Sequence, residues 1–422
     1  MRKNLAIVAF GAVAALTLAG CASGGNEASS DEGAEIRVWL VGTDTPDEAR
    51  DYLKTTFEDE HPGSTLTIEE QSWDGLVDRL TTSLSGSDSP DVVEVGNTQA
   101  AAFTSAGAFL DLTDDYEALG GDDLLPGFVE AGSYDGKFYA APLYSGARLV
   151  FYKKDAMSAA GQTVPTTLDE YVATGEALAT ANPGKSGIWW PGQDWYNALP
   201  FIWEHGGEVA VADGDEWDAQ LSSAESVEGL AQVQEVMTKA SLAPKDGNET
   251  SPEVGFCDGT SLQLSAPSWV KWSILAPADA EAPGCPDQEA NLGVYALPGM
   301  DGGAAQVFAG GSNIGISAKS AHPDLAKDAL AIILSDEFQT IYGESGLVPA
   351  KVSLADTLGT DEVAQAIAAA AANAKLTPAS PNWADVEAAG ILQDLFVKIA
   401  QGGDVQTLAE EADEKIEDIL NG

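Results

Sequence analysis

Positive charge is scarce in this chain: 20 Lys plus Arg stand against 67 Asp plus Glu, a formal charge of −47 over 422 residues. A surface of that sign repels nucleic-acid phosphates and anionic headgroups, which excludes nucleic-acid binding. Solubility outside the cell accounts for the acidity without a functional acidic patch. Histidine is scarcer still. Of the three present, His61 and His322 each precede proline, and none stands in a recognisable triad order. No H-E-x-x-H, no G-x-S-x-G nucleophile elbow and no phosphate-binding P-loop occurs, so neither a catalytic residue nor a cofactor is expected. Three cysteines are present, none with a second cysteine or a histidine at zinc-ligand spacing, and no metal site is expected. After residue 20, no apolar run is long enough to span a bilayer.

The opening stretch has its own pattern. Arg2 and Lys3 precede an uncharged run dominated by Leu5, Ile7, Val8, Phe10, Val13 and Leu16. A signal peptide's apolar core is typically about 7–15 residues, shorter than a membrane span. The run closes on Leu18-Ala19-Gly20-Cys21, which resembles a bacterial lipobox. Residues 1–20 therefore read as a signal peptide and Cys21 as the lipidated N-terminus of the mature chain. The polar, Gly/Ser-rich stretch 21–34 reads as a flexible tether. The expected address is the extracytoplasmic face of the cell membrane, held by the lipid anchor alone. Cys257 and Cys285 remain as a pair in an oxidising compartment, and a disulfide between them is expected, with two buried thiols as the alternative. Such a bridge closes a loop of about 28 residues, at most about 3.5 kcal/mol by chain entropy.

Length admits two domains at about 100–200 residues each, and 44% hydrophobic content suits real cores. Residues 36–41 alternate as a strand. Ala49, Tyr52, Leu53 and Phe57 mark a helix over 47–59, and 66–70 form a second strand. Leu76, Leu80 and Leu84 form one stripe of a helix over 73–84, and 91–95 form a third strand. That order predicts parallel strands with ligand groups beyond their carboxyl ends, which places Thr43, Asp44 and Asn97 at one edge. A turn at 134–137 leads into an extended segment 138–144; after Ser145-Gly146-Ala147 a separate strand covers 148–152. Helices are expected over 168–181, 224–239, 325–334, 361–374 and 405–420, and strands over 292–298 and 312–316. The class is α/β.

Several segments in this order carry a resemblance. They are Pro-Asp-Val-Val-Glu-Val-Gly-Asn-Thr at 90–98, Tyr-Asp-Gly-Lys-Phe-Tyr-Ala-Ala-Pro at 134–142, Phe-Ala-Gly-Gly-Ser-Asn-Ile-Gly-Ile at 308–316 and Gly-Leu-Val-Pro-Ala at 346–350. With the lipobox, the chain resembles the family 1 extracellular solute-binding proteins, the carbohydrate-capturing subunits of ABC importers. Residues 96–99 and 191–196 are similar to those of lipoproteins that bind chitobiose and related sugars. The resemblance implies a two-lobe, class II periplasmic-binding-protein-like α/β fold with the ligand cleft between the lobes. The first lobe would comprise 35–145 plus 299–348 and the second 146–298 plus 349–422, with crossings near 144–148, 296–299 and 348–351. It also implies a monomer whose partners are an oligosaccharide and the transmembrane subunits of an ABC permease, with no covalent chemistry.

Neutral sugars present C–H faces and hydroxyl edges, so their site needs aromatic platforms with hydrogen-bonding groups between them. The chain has 10 Trp. Trp195, Trp269 and Trp383 sit in Pro-containing loops rather than on a helix stripe and are the candidate platforms; Trp189, Trp190 and Trp272 read as core. Asn97 offers a donor and an acceptor at a strand end, its other reading being a turn residue. Gly310-Gly311-Ser312 lets a backbone approach a ligand, or is a plain loop. Asp44 and Gln71 are further polar candidates. Arg148 is a candidate sugar contact, with pairing to a carboxylate as the alternative. Two rival functions stay open: a secreted glycoside hydrolase, which needs two carboxylates at a set separation, and a same-fold binder of a cationic or peptide ligand.

Overall fold

The computed structural model describes residues 33–214, 216–280 and 282–422. The expected signal peptide, Cys21 and nearly all of the expected tether lie outside them.

Strands Glu35–Val41, Thr65–Gln71 and Val92–Gly96 run parallel, joined by helices Asp47–Glu60 and Leu76–Ser85. Ala49, Leu53 and Phe57 are the buried stripe of the first helix, as their spacing requires. The second helix starts at Leu76 rather than Trp73, because Gly75 takes a left-handed conformation that ends the preceding turn (φ 68°) and leaves Trp73 outside. Side-chain N-caps set other helix starts: Thr167, Ser223, Ser335, Asp361 and Asp404 each accept from an amide three residues on.

The three parallel strands extend into a nine-stranded sheet through two long antiparallel strands, Ala140–Lys153 and Val307–Ile316. The first is a single buried strand of 14 residues. Expected as a break, Ser145-Gly146-Ala147 continues the strand because its backbone pairs with Gly311, Gly310 and Ala309. The turn at 134–137 closes a small hairpin, with left-handed Asp135 and Gly136 supplying its bend.

Hydrophobic cores lie on both sides of these long strands. Leu143 and Tyr144 belong to the core of the parallel strands; Ala147, Leu149 and Phe151 belong to the other. On the neighbouring strand Val307 and Phe308 belong to the second core, while Ile314 and Ile316 belong to the first. The chain therefore changes core within Val307–Ile316, not at 296–299, since Leu297 and Ala305 still pack with the second core. Leu347 and Ala350 pack with the first core and Val348 with the second. The result is a two-lobe α/β architecture sharing one sheet. A disulfide joins Cys257 and Cys285. Among the described residues, no helix is long and apolar enough to cross a membrane.

Candidate ligand cleft

Where the long strands change core, a cleft of about 580 Å³ opens between the lobes. Strand ends of the first lobe supply one wall. Asp44 follows the strand Glu35–Val41, and Asn97, Thr98 and Gln99 begin the helix that follows Val92–Gly96 without a loop. Asp44 Oδ2 accepts from the Trp73 indole and from the Tyr144 hydroxyl, both at 3.0 Å. Burial holds the Asp44 carboxyl above its ordinary pKa, with those two donors and Arg50 pulling it back. Asn97 Nδ2 donates to the Ala309 carbonyl at 2.8 Å, which fixes the amide against the crossing strand.

The second lobe supplies a charged and aromatic wall. Arg148, 3% exposed, donates to Asn197 Oδ1 at 3.1 Å and to the Glu249 carboxylate, with Asp194 3.9 Å away. Burial and the neighbouring Glu249 raise the Asp194 pKa, while Arg148 lowers it. The guanidinium carbon lies 5.2 Å from the Tyr196 ring centre, and Tyr196 stacks on Phe308 at 4.7 Å. Trp189 and Trp269 also face the cavity. Trp269 packs against both hydrophobic cores. Its ring occupies the space over paired Gly146 and Gly310: a Cβ on Gly146 would stand 2.0 Å from Trp269 Cζ3, and one on Gly310 would stand 3.2 Å from its Cη2. The two glycines make room for an indole at the point where the lobes meet.

The family model for bacterial extracellular solute-binding proteins matches residues 42–340. The chain belongs to that family. This solute-binding protein is 32% identical over 370 residues to the diacetylchitobiose binding protein DasA of Streptomyces coelicolor, covering 86% of this chain and 84% of the relative. It is 24% identical over 394 residues to the maltodextrin-binding protein MdxE of Bacillus subtilis, covering 92% and 90%. Its fold is similar to that of the GacH receptor of Streptomyces glaucescens, solved unliganded and with acarbose (TM-score 0.78, 20% identity, 92% of this chain and 99% of that one). The sugar-binding protein MalE of Xanthomonas citri is similar to the same degree (TM-score 0.78, 20% identity, 92% and 98%).

In this solute-binding protein the cleft gathers Asp44, Asn97, Arg148, Trp269, Gly310 and Gly311 from the residues expected at the site. Others lie elsewhere. Trp195 is 2% exposed and Trp383 is 1% exposed; both pack in the second-lobe core, 6.3 Å apart, Trp195 from an inward-turned loop and Trp383 as the first residue of the helix Trp383–Ala388, whose buried face it shares with Val386. Ser312 is buried in the sheet between Tyr144 and Gly96. Gln71 bonds back to the Glu69 carbonyl and is off the cavity wall, as is Thr43. Of the tryptophans expected in the core, Trp189 packs against the second-lobe core and also lines the cleft, and Trp272 is 37% exposed, donating to the Ser345 carbonyl. Trp73, Tyr144, Tyr196 and the segment 249–253 join the wall without having been singled out as site residues. The adjacent aromatics at 195 and 196, whose rings stack 3.9 Å apart, were a usable signal of an aromatic patch but not of which ring reaches the cleft. Segment 249–253 has no motif at all.

Proposed function

We propose that this protein is the extracytoplasmic substrate-binding component of a carbohydrate ABC importer, capturing an oligosaccharide of chitobiose type and passing it unchanged to the permease. One observation carries the reading: six aromatic residues, Trp73, Tyr144, Trp189, Tyr196, Trp269 and Phe308, share a cleft between lobes with Asp44, Asn97 and Glu249. Flat apolar faces interleaved with acceptors and an amide suit a pyranose, whose faces are C–H and whose edges are hydroxyl. The lobes move about the two long strands, and ligand contact with both walls favours the shut state. Kinship with a diacetylchitobiose binder supports the sugar class. No bond is made or broken in this scheme, and the protein is not an enzyme. A signal peptide over 1–20 would export the chain, and a lipid on Cys21 would then hold a monomer beside its permease.

Calorimetry of the protein with N,N′-diacetylchitobiose tests the proposal. The expected result is saturable one-to-one binding, a raised melting temperature and full recovery of intact disaccharide. Release of new reducing ends would replace the binder with a glycosidase. Binding of an amine or peptide in place of any sugar would overturn the substrate class.

A further inference from the structure

The disulfide lies behind the second-lobe wall of the cleft. Cys257 ends the short helix Pro252–Cys257, which directly continues the wall segment 249–253. Cys285 donates its amide to the Ile274 carbonyl at 2.7 Å, at the end of the helix Val270–Ile274. Trp269, Val270 and Ser273 of that second element also line the cleft. The bridge thus joins two pieces of wall from behind.

Close packing makes the connection stiff. Gly284 lies so near the second helix that a Cβ there would meet Ser273 O at 2.4 Å and Ile274 O at 2.7 Å. Trp189 rests on the first helix, with its Cδ2 3.5 Å from where a Gly255 Cβ would stand. The upstream end of the wall segment is held by the ion pair of Glu249 with Arg148. Between that pair and the disulfide the chain bonds largely to itself: Thr250 donates to Asn248, and Val254 to the Ser251 carbonyl. Ser251 sits in the left-handed region at φ 54°, a conformation that a non-glycine residue holds only when its surroundings impose it.

We propose that Cys257 and Cys285 are positioning residues for ligand capture: their bond pre-organises Trp189, Trp269 and the 249–253 segment as one rigid wall. This rests on the sugar-binding reading above. Ordering those segments only on binding would subtract from affinity, and a cross-link that orders them beforehand removes that cost.

The test compares the oxidised protein with the Cys257→Ser/Cys285→Ser variant. It also uses wild-type protein reduced in the folded state by dithiothreitol, which supplies two electrons and two protons to give two thiols and is left as its cyclic disulfide. Two readouts are taken well below the melting temperature: affinity for N,N′-diacetylchitobiose, and amide hydrogen exchange. Loss of the bond is expected to weaken binding about tenfold, chiefly through faster dissociation. Exchange is expected to rise in 249–257 and 269–274 while the strand Ala140–Lys153 stays protected. Unchanged exchange in those two segments overturns the inference, as does unchanged affinity on loss of the bond when the oxidised protein binds the sugar. If the oxidised protein binds no carbohydrate, the sugar reading fails on its own. Exchange in the two segments then decides whether the bridge braces the wall.

Discussion

The Thr98 hydroxyl donates to Glu387 Oε2 at 2.9 Å, tying the helix that starts at Asn97 to the helix Trp383–Ala388. Gln99 donates to the same oxygen at 2.7 Å, and the Trp383 indole to the other at 3.2 Å. Burial holds the Glu387 carboxyl above its ordinary pKa, and the three donors pull it back. Thr98 and Gln99 line the cleft, whereas Trp383 belongs to the second-lobe core. Glu387→Ala is therefore expected to loosen the lobes. X-ray scattering of the unliganded variant should give a larger radius of gyration, and calorimetry an affinity weaker by up to about tenfold. Identical scattering curves would remove the tie from the closing mechanism.

Gly146 and Trp269 form a second relationship that mutation can probe. Gly146→Ala places a methyl where the indole now lies, and Trp269→Ala empties the same space. Each is expected to lower affinity by about 1–3 kcal/mol, in the range of a displaced aromatic anchor. Because both act through one ring, the double variant should lose less than the sum of the two. Full additivity would show that Trp269 stays in place when Gly146 is substituted.

Arg148 neutralises a buried cluster. Its replacement by Ala leaves Asp194 and Glu249 without their cation, and removing one partner of a buried ion pair typically costs about 3–5 kcal/mol. Denaturant unfolding should register that loss, and Arg148→Lys should recover only part of it, since one ammonium cannot repeat the guanidinium's fork. A stability change under about 0.5 kcal/mol for Arg148→Ala would mean the cluster is solvated.

Trp195 and Trp73 separate packing from ligand contact. Trp195→Phe keeps an aromatic in the core and should leave affinity unchanged, whereas Trp195→Ala should cost about 3–5 kcal/mol of stability. Trp73, 42% exposed and facing the cleft, should behave in the opposite way: Trp73→Ala lowers affinity with little change in melting temperature. Reversal of that pattern would move Trp195 into the site.

Glu94 makes stability depend on pH. It is fully buried on the central strand Val92–Gly96, with Oε2 accepting from the Val41 amide at 2.7 Å. Burial pushes its pKa up to about 8. The unfolded chain releases this proton near pH 4.5, so the folded state binds more protons between there and pH 8. Its contribution is full below the unfolded pKa and is lost as pH rises through the folded one, with a slope of up to about 1.4 kcal/mol per pH unit. Glu94→Gln should flatten that slope, so that the variant gains on wild type in thermal melts at pH 8 relative to pH 5. Parallel curves for the two proteins would place the titration elsewhere.

Helix and strand positions were readable wherever one periodicity ruled. The helices Leu168–Ala181, Ala224–Lys239 and Val405–Leu420 start beside caps that appear in the sequence as Thr167, Ser223 and Asp404. The parallel opening followed from element order, because a crossover helix leaves little other choice. Asp44 and Asn97 were readable as site residues for the same reason: they stand at strand ends, where such sheets bind ligands. Segments containing glycine were misread as breaks. A glycine in a strand can end it or admit a neighbour, and only the neighbour, here Trp269, distinguishes the two.

Order along the chain, then, determined the α/β class and the parallel opening strands, and it pointed to the pairing of two leftover cysteines that the structure shows. Which tryptophans face the ligand was decided by tertiary structure. Trp189 and Trp195 stand six positions apart around the same Pro-Gly turn, yet one faces the cleft and the other is 2% exposed in the core. Composition is blind to that difference, because an irregular segment has no period to say which side of it is wet. The side is set by what packs behind: Gly255 behind Trp189, and Tyr196, Phe308 and Trp383 around Trp195.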